Sequence, residues 1–397
     1  MKKRWITAVA ATLAAAMAVC ACAKEEEPET FTGETTEEPA YQAYLNAVSP
    51  AAYNNVEGLN LEPGTYISII GKDESSAYWQ QVERGVTQAA DDLNEMLGYT
   101  GGDKIKVTYN SPAESEDIDE QVNILDEELS RYPDVVGIAT VDEDACGVQF
   151  DLAAGNGIPI IALDSSNNYH GIQCTVQTDN VDAARTGAYK LADEIGREGE
   201  VILLVHDSKS GAAKERAEGF TAEITEKYPN VKIVETIYLD QMDDLKKKIA
   251  EEKDDGTKDE NVAEENTAAD DENSAAVEMT DEDVLQYYLE KYPDLKGMFA
   301  TSDNATQRGL EALKTAGRGG EVVLMGFDAG EKQLAALEDG DISGLVVQNP
   351  FGIGYASVVA AARTVLEIGN EAEVNTGYIW VTPDNLEEES IQKMLYE

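Results

Sequence analysis

The sequence predicts an α/β protein of two Rossmann-like, doubly wound lobes, each built on a parallel sheet. Three observations carry that expectation. Short β-branched runs alternate with longer segments of helical period, the alternation starts over after Asp179, and 397 residues suffice for about two domains of ordinary size. Strands separated by helices run in one direction, because a helical crossover carries the chain back to the end where it began.

In the first series YISII at 66–70 precedes Trp79, Val82, Val86, Ala89, Leu93 and Leu97. Their spacings of 3, 4, 3, 4 and 4 line one helix face, and Gly98 stops it. KIKVTY then precedes Ile118, Val122, Leu125 and Leu129; VVGIAT precedes a stripe at Ala145, Val148 and Leu152; IPIIAL follows. The second series runs through a helix to Ile195, EVILLV, a helix through Phe220, VKIVETIYL, a long helical region, LKGMFA, a helix, EVVLMGF and a last helix. Three chain crossings are expected, near Thr178/Asp179, Gln348/Asn349 and Tyr378/Ile379. One lobe then takes 63–178 and 349–378, and the other 179–348 and 379–397.

One stretch breaks the plan. Residues 251–280 hold 12 acidic and 2 basic side chains and almost no large apolar one, so they are expected to form a disordered insertion within a helical region. They lack the D-x-[DN]-x-[DN]-G loop of a calcium site, which leaves a solvated charge run.

The whole chain carries 30 Lys+Arg against 78 Asp+Glu, a net charge of -48, which argues against nucleic acid and against direct attraction to an anionic membrane. At the start, Lys2, Lys3 and Arg4 precede an apolar run of 13 residues from Ile6 to Ala18, the pattern of an export signal over 1–21. In Val19-Cys20-Ala21-Cys22 a small residue precedes Cys22, which resembles a lipoprotein processing site with Cys22 as the lipidated residue. An acyl chain there would anchor the protein without a transmembrane helix. Residues 22–62 are expected to form an acidic tether, although their tyrosine-containing second part is left open. Cys146 and Cys174 remain, either as a disulfide or as two buried thiols.

Enzyme signatures are missing. His170 and His206 are the only histidines, and there is no H-E-x-x-H, G-x-S-x-G, G-x-x-x-x-G-K-[ST] or G-x-G-x-x-G after a strand. No catalytic residue, metal ligand or cofactor is nominated. What stands out is the set of polar residues just beyond the strands, where ligands bind in open parallel sheets. These are Lys72 and Asp73, Asp164 and Ser165, Ser208, Asp240, Ser302 and Asp303, Asp328, and Gln348.

The collinear order of AYWQQVERGVTQAA, GIPIIALDSS, VQTDNVDAARTGAYKLAD, ERAEGF, MFATSDNATQRGLEAL, VVLMGFDAG and GLVVQNPFGIGYASV resembles the periplasmic sugar-binding proteins of the ribose-binding type. These are solute receptors of ABC importers with the type I periplasmic binding protein fold. The similarity covers about Tyr66 to Leu386, excluding the acidic insertion.

The resemblance implies roles for single residues. Tyr78 and Trp79 match an aromatic pair that stacks on sugar C–H faces. Asp164 and Asp328 match carboxylates that accept from hydroxyl pairs, Arg216 matches the arginine of R-x-x-G-F, and Gln348 matches a hinge-side amide. Lys72 and Ser76 fall where the family places polar contacts. Two positions depart from the pattern: Ser165 stands where ribose receptors have an arginine, and Ser302 where they have an asparagine. Both shorten a donor, leaving room for a ligand other than ribose.

Each residue also has a plainer reading. Asp303 and Asp179 read as helix N-caps, and Asp328 with Glu331 as a capping box. One of the rings Tyr78 and Trp79 is expected in the cleft and the other packed, while Arg216 could instead ion-pair with Glu218 or Asp207. The family implies hinge closure on a small sugar, delivery to an ABC permease, membrane attachment through the lipid anchor, a monomer, and no chemistry on the ligand. The alternatives are a sensing module for a membrane kinase or quorum system, and an extracytoplasmic carbohydrate hydrolase.

Overall fold

The computed structural model describes residues 39–257 and 279–396. Two six-stranded sheets carry the fold. The first holds β1 (Tyr66–Ile70), β2 (Lys106–Asn110), β3 (Val135–Ile138), β4 (Ile160–Leu163), β5 (Ile172–Gln177) and, from late in the chain, β11 (Glu373–Asn375). The second holds β6 (Gly199–Val205), β7 (Val231–Tyr238), β8 (Leu295–Ala300), β9 (Val323–Phe327), β10 (Gly344–Gln348) and β12 (Tyr378–Val381). Their orders are β11-β5-β4-β3-β1-β2 and β12-β10-β9-β8-β6-β7, so the two sheets are built alike. All pairings are parallel except that of β12 with β10. Strands such as VVGI and IIAL are buried at every position, as a sheet covered on both faces requires.

The helices begin where the sequence supplies caps. Ser76 caps α2 (Ala77–Leu97), which follows the short α1 (Gln42–Asn46), and Gly98 ends α2 at φ 69°. Asp117 caps α3 (Ile118–Ser130), α4 spans Gly147–Gly155, and Asp179 caps α5 (Asn180–Glu194). Ser210 caps α6 (Gly211–Lys227), which is followed by α7 (Met242–Thr257) and α8 (Asp281–Lys291). Ser302 caps α9 (Asp303–Thr315), α10 spans Glu331–Glu338, Asn349 caps α11 (Pro350–Val365), and α12 is Glu389–Gln392. Asp179 is therefore a cap as expected. Asp303 is not, since Ser302 beside it takes that place, and Gly330 rather than Asp328 precedes α10.

The chain passes between sheets at Thr178–Asp179, at Asn349 and at Thr376–Gly377. The third passage falls before the expected Tyr378/Ile379, because Tyr378 already pairs with Gln348 inside the second sheet.

Three further expectations are corrected. The tether does not extend to residue 62: Leu45, Val48, Tyr53, Val56, Leu59 and Leu61 are buried in the core of the first lobe. Tyr41 and Tyr44 stack on Phe351, and Ser49 bridges to Asn375 beside β11. The stripe at Val148 and Leu152 faces solvent, and Cys146, Phe150 and Ala153 supply the buried face of α4 instead. Residues 251–257 continue α7, where Glu252 accepts from Tyr287 at 2.5 Å and pairs with Lys291 at 2.9 Å. Those contacts to α8 hold the start of the acidic stretch in a helix. Cys146 and Cys174 are free, buried thiols. The export signal, Cys22, the first part of the tether and most of the acidic insertion lie outside the described residues. Among the described residues no helix is long and apolar enough to cross a membrane.

Candidate binding site

The carboxyl ends of the two sheets meet across a cavity of about 150 Å³. From the first lobe it is lined by Lys72, Ser76, Tyr78, Trp79 and Asp164, and from the second by Arg216, Ser302, Asp328 and Gln348. Nine of the ten residues to which the resemblance gives ligand roles thus line one cavity, as do Asp73 and Asp303. Ser165 does not. It is fully buried behind the wall, and its hydroxyl accepts from Lys72 Nζ at 2.6 Å. The short side chain makes room for the lysine, not for a ligand. Ser208 and Asp240 bond each other at 2.8 Å and are not part of the lining.

Asp164 and Asp328 occupy equivalent places, after β4 and β9. Each has a left-handed backbone, φ 61° and 73°, and each donates its N–H to a valine of the next strand, Val176 and Val346, at 2.8 Å. That conformation is uncommon outside glycine, though least unfavourable for Asn and Asp. Their surroundings differ. Asp164 accepts from Tyr78 Oη at 2.6 Å and lies 3.2 Å from Lys72 Nζ. Asp328 accepts from Gln348 Nε2 at 2.8 Å, Tyr396 Oη at 3.3 Å and the Asp303 N–H at 3.2 Å.

Arg216 is buried and makes no ion pair with Glu218 or Asp207. Its fork donates to Asn180 Oδ1 at 2.8 Å, the Thr301 carbonyl at 2.8 Å and Gln348 Oε1 at 2.7 Å, with the guanidinium over the Phe327 ring. Five N–H donors minus three used leaves two. Gln348 also accepts from Thr178 Oγ1 at 3.0 Å, which ties two of the three passages together. Trp79 is 8% exposed, packs in the core and also lines the cavity; Tyr78 stands half-buried beside it, edge to face at 5.3 Å. The lobes also touch outside the cavity, where Ser166 donates to Glu215 at 2.6 Å and Lys214 pairs with Glu143.

The profile of the periplasmic binding protein domain matches residues 67–369. The chain belongs to the periplasmic binding protein family. Membership places it outside the cytoplasm. The xylitol-binding protein of Mycolicibacterium smegmatis is 24% identical over 73% of this chain and 72% of its own length. The ribose import binding protein of Escherichia coli is 23% identical over 80% and 90%. A carbohydrate transporter solute binding protein from Agrobacterium radiobacter, solved in complex with D-arabinose, is 26% identical, with a TM-score of 0.65 over 84% of this chain and 99% of its own. An Agrobacterium vitis solute binding protein bound with alpha-D-tagatopyranose shares the fold at 21% identity and a TM-score of 0.67.

In this periplasmic binding protein the two equivalent carboxyls ionise differently. Burial alone would raise Asp164, but Lys72 and the Tyr78 hydroxyl outweigh it and hold that carboxyl below its ordinary value. Burial also raises Asp328, and Arg216 and Gln348 only partly oppose it, so it stands at about 6. His206, which lines the cavity with Nδ1 2.7 Å from Thr301 Oγ1, is held below its ordinary value by burial, against the pull of the Asp207 carboxylate. His206, Asp207, Asn180 and Tyr396 were not found from the sequence. His206 and Asp207 directly follow β6 and could have been read from the strand-end rule. No local signal marks Tyr396, which comes from far along the chain.

Proposed function

We propose that this protein captures one small sugar between its lobes and hands it, unaltered, to an ABC importer. One observation carries the reading: the cavity lining sets carboxylate acceptors among guanidinium, ammonium and amide donors beside two aromatic rings. A sugar has the same duality, a hydroxyl rim around an apolar face. A cavity of this volume takes a single six-membered ring, which favours a monosaccharide or small polyol over an oligosaccharide. One relative is a xylitol-binding protein, another a ribose import binding protein and a third is solved with D-arabinose, which supports the class without choosing a member. Attachment through a lipidated Cys22 and action as a monomer belong to the same proposal.

The test is a thermal-shift screen over pentoses, hexoses, sugar alcohols and disaccharides, since a ligand of the native state raises its stability by mass action. A monosaccharide or polyol is expected to raise the midpoint and disaccharides are not. Asp328→Ala is expected to abolish the shift while the protein stays folded. Arg216→Ala is expected to abolish it too, with a loss of stability, because three buried partners lose their donor. Mass spectrometry of the incubated sugar should find it unchanged; turnover would replace binding by hydrolysis.

A further inference from the structure

We propose that Tyr396 is a positioning residue of the binding site, holding one cavity-lining group from each lobe in place. The proposal rests on the sugar-site reading of the cavity. Tyr396 is 2% exposed and does not line the cavity, so it acts through its neighbours. Its hydroxyl lies 3.3 Å from Asp328 Oδ1 in the second lobe. Its ring meets the Tyr78 ring of the first lobe edge to face, with centroids 6.1 Å apart and planes at 72°. Tyr44, from the segment packed on the first lobe, donates to the carbonyl of the adjacent Leu395 at 2.7 Å. Residues 395–396 are thereby gripped from both lobes.

Both contacts bear on groups that a ligand would meet. The Asp328 carboxyl sits on a left-handed backbone, and a hydroxyl donor favours its ionised, accepting form. The Tyr78 hydroxyl is committed to Asp164, so the angle of its ring depends on what leans on the ring itself. The charged groups facing Asp328 are Arg216, Asp303 and Asp164. Arg216 comes from α6, Asp303 from α9, and Asp164 from across the cleft. Tyr396 adds a neutral donor to that set.

The test uses the full chain and whichever of xylitol, D-ribose, D-arabinose and D-tagatose shifts the wild type most, with Kd measured by calorimetry from pH 5 to pH 8. Tyr396→Phe keeps the ring against Tyr78 and removes the donor. It is expected to weaken binding several-fold, because the Asp328 acceptor loses a donor that favours its ionised form, and to move the acid limb of the binding profile to higher pH. Its unliganded melting midpoint should fall modestly, because the lost hydrogen bond is present without ligand too; the moved acid limb is the readout that a merely structural role would leave in place. Wild-type affinity with an unmoved acid limb would overturn the proposal. If Tyr396→Phe does not fold, Tyr44→Phe carries the test, since it frees residue 395 without touching the cavity. Weaker binding supports the proposal and an unchanged Kd overturns it. A wild type that binds no monosaccharide or polyol of the wider thermal-shift screen would instead defeat the sugar reading underneath.

Discussion

Asp328 shows how a single side chain trades stability for an open acceptor. Its carboxyl is raised above the value it has in an unfolded chain, so the folded protein binds this proton more tightly. The stability it contributes is therefore fully present below the unfolded value near 4 and is lost as pH rises through about 6. The amide introduced by Asp328→Asn cannot titrate. The stability of this unliganded variant relative to wild type is expected to grow between about pH 4 and pH 7, by up to about 3 kcal/mol. Urea unfolding at the two ends of that range measures it, and a constant difference would refute the assignment. Asp164 follows the opposite rule. Its carboxyl is held down by Lys72, so its contribution is present above the ordinary carboxylate value and is lost in acid. The sequence makes both aspartates visible as residues after strands, but their unlike environments depend on a lysine 92 positions before one and a glutamine 20 positions after the other.

At the scale of elements, each lobe brings two helices together at a glycine. Gly85 is the ninth residue of α2 and Gly219 the ninth of α6. A Cβ on Gly85 would run into the Phe351 carbonyl of α11, and one on Gly219 into the Val181 carbonyl of α5. Gly354 of α11 faces the Val82 carbonyl in the same way. These close crossings let α5 and α11, the helices entered directly from the other lobe, seat over the sheet of the lobe they enter. Gly354→Ala is expected to cost about 1–3 kcal/mol, as overpacking does. Gly155→Ala, with open space around it, should be near neutral, and thermal melts of the pair decide. The apolar period of α2 was fully legible from its sequence. That of α4 was not. Val148 and Leu152 have the right spacing, but Phe150 is larger and the sheet takes its face. A periodicity says that a helix has two faces, and packing decides which one is covered.

For the molecule as a whole, the segment 41–62 is part of the folded body. Six of its apolar side chains are buried, each worth about 1.5–3 kcal/mol when fully removed from water, against a net domain stability of about 5–15 kcal/mol. Asn349 at the second passage donates to the Tyr44 carbonyl at 2.7 Å, so the segment also braces the hinge. A chain lacking residues 41–62 is expected to lose its cooperative thermal transition, which circular dichroism would detect. A sharp melt at the wild-type midpoint would show the segment to be dispensable.

The alternation of strands and helices, the duplication of the plan, the Asp179 cap and the polar residues beyond the strands were legible in the amino-acid order alone. All of these are set by neighbours within a few positions, through backbone geometry and side-chain period. Long-range packing alone settled that Ser165 yields its place to Lys72, that Arg216 spends its donors on Asn180, Thr301 and Gln348, and that Tyr396 bonds Asp328 from behind the cavity. Such choices depend on charge and volume brought together from segments distant in the chain, and no local pattern records which groups will share a desolvated space.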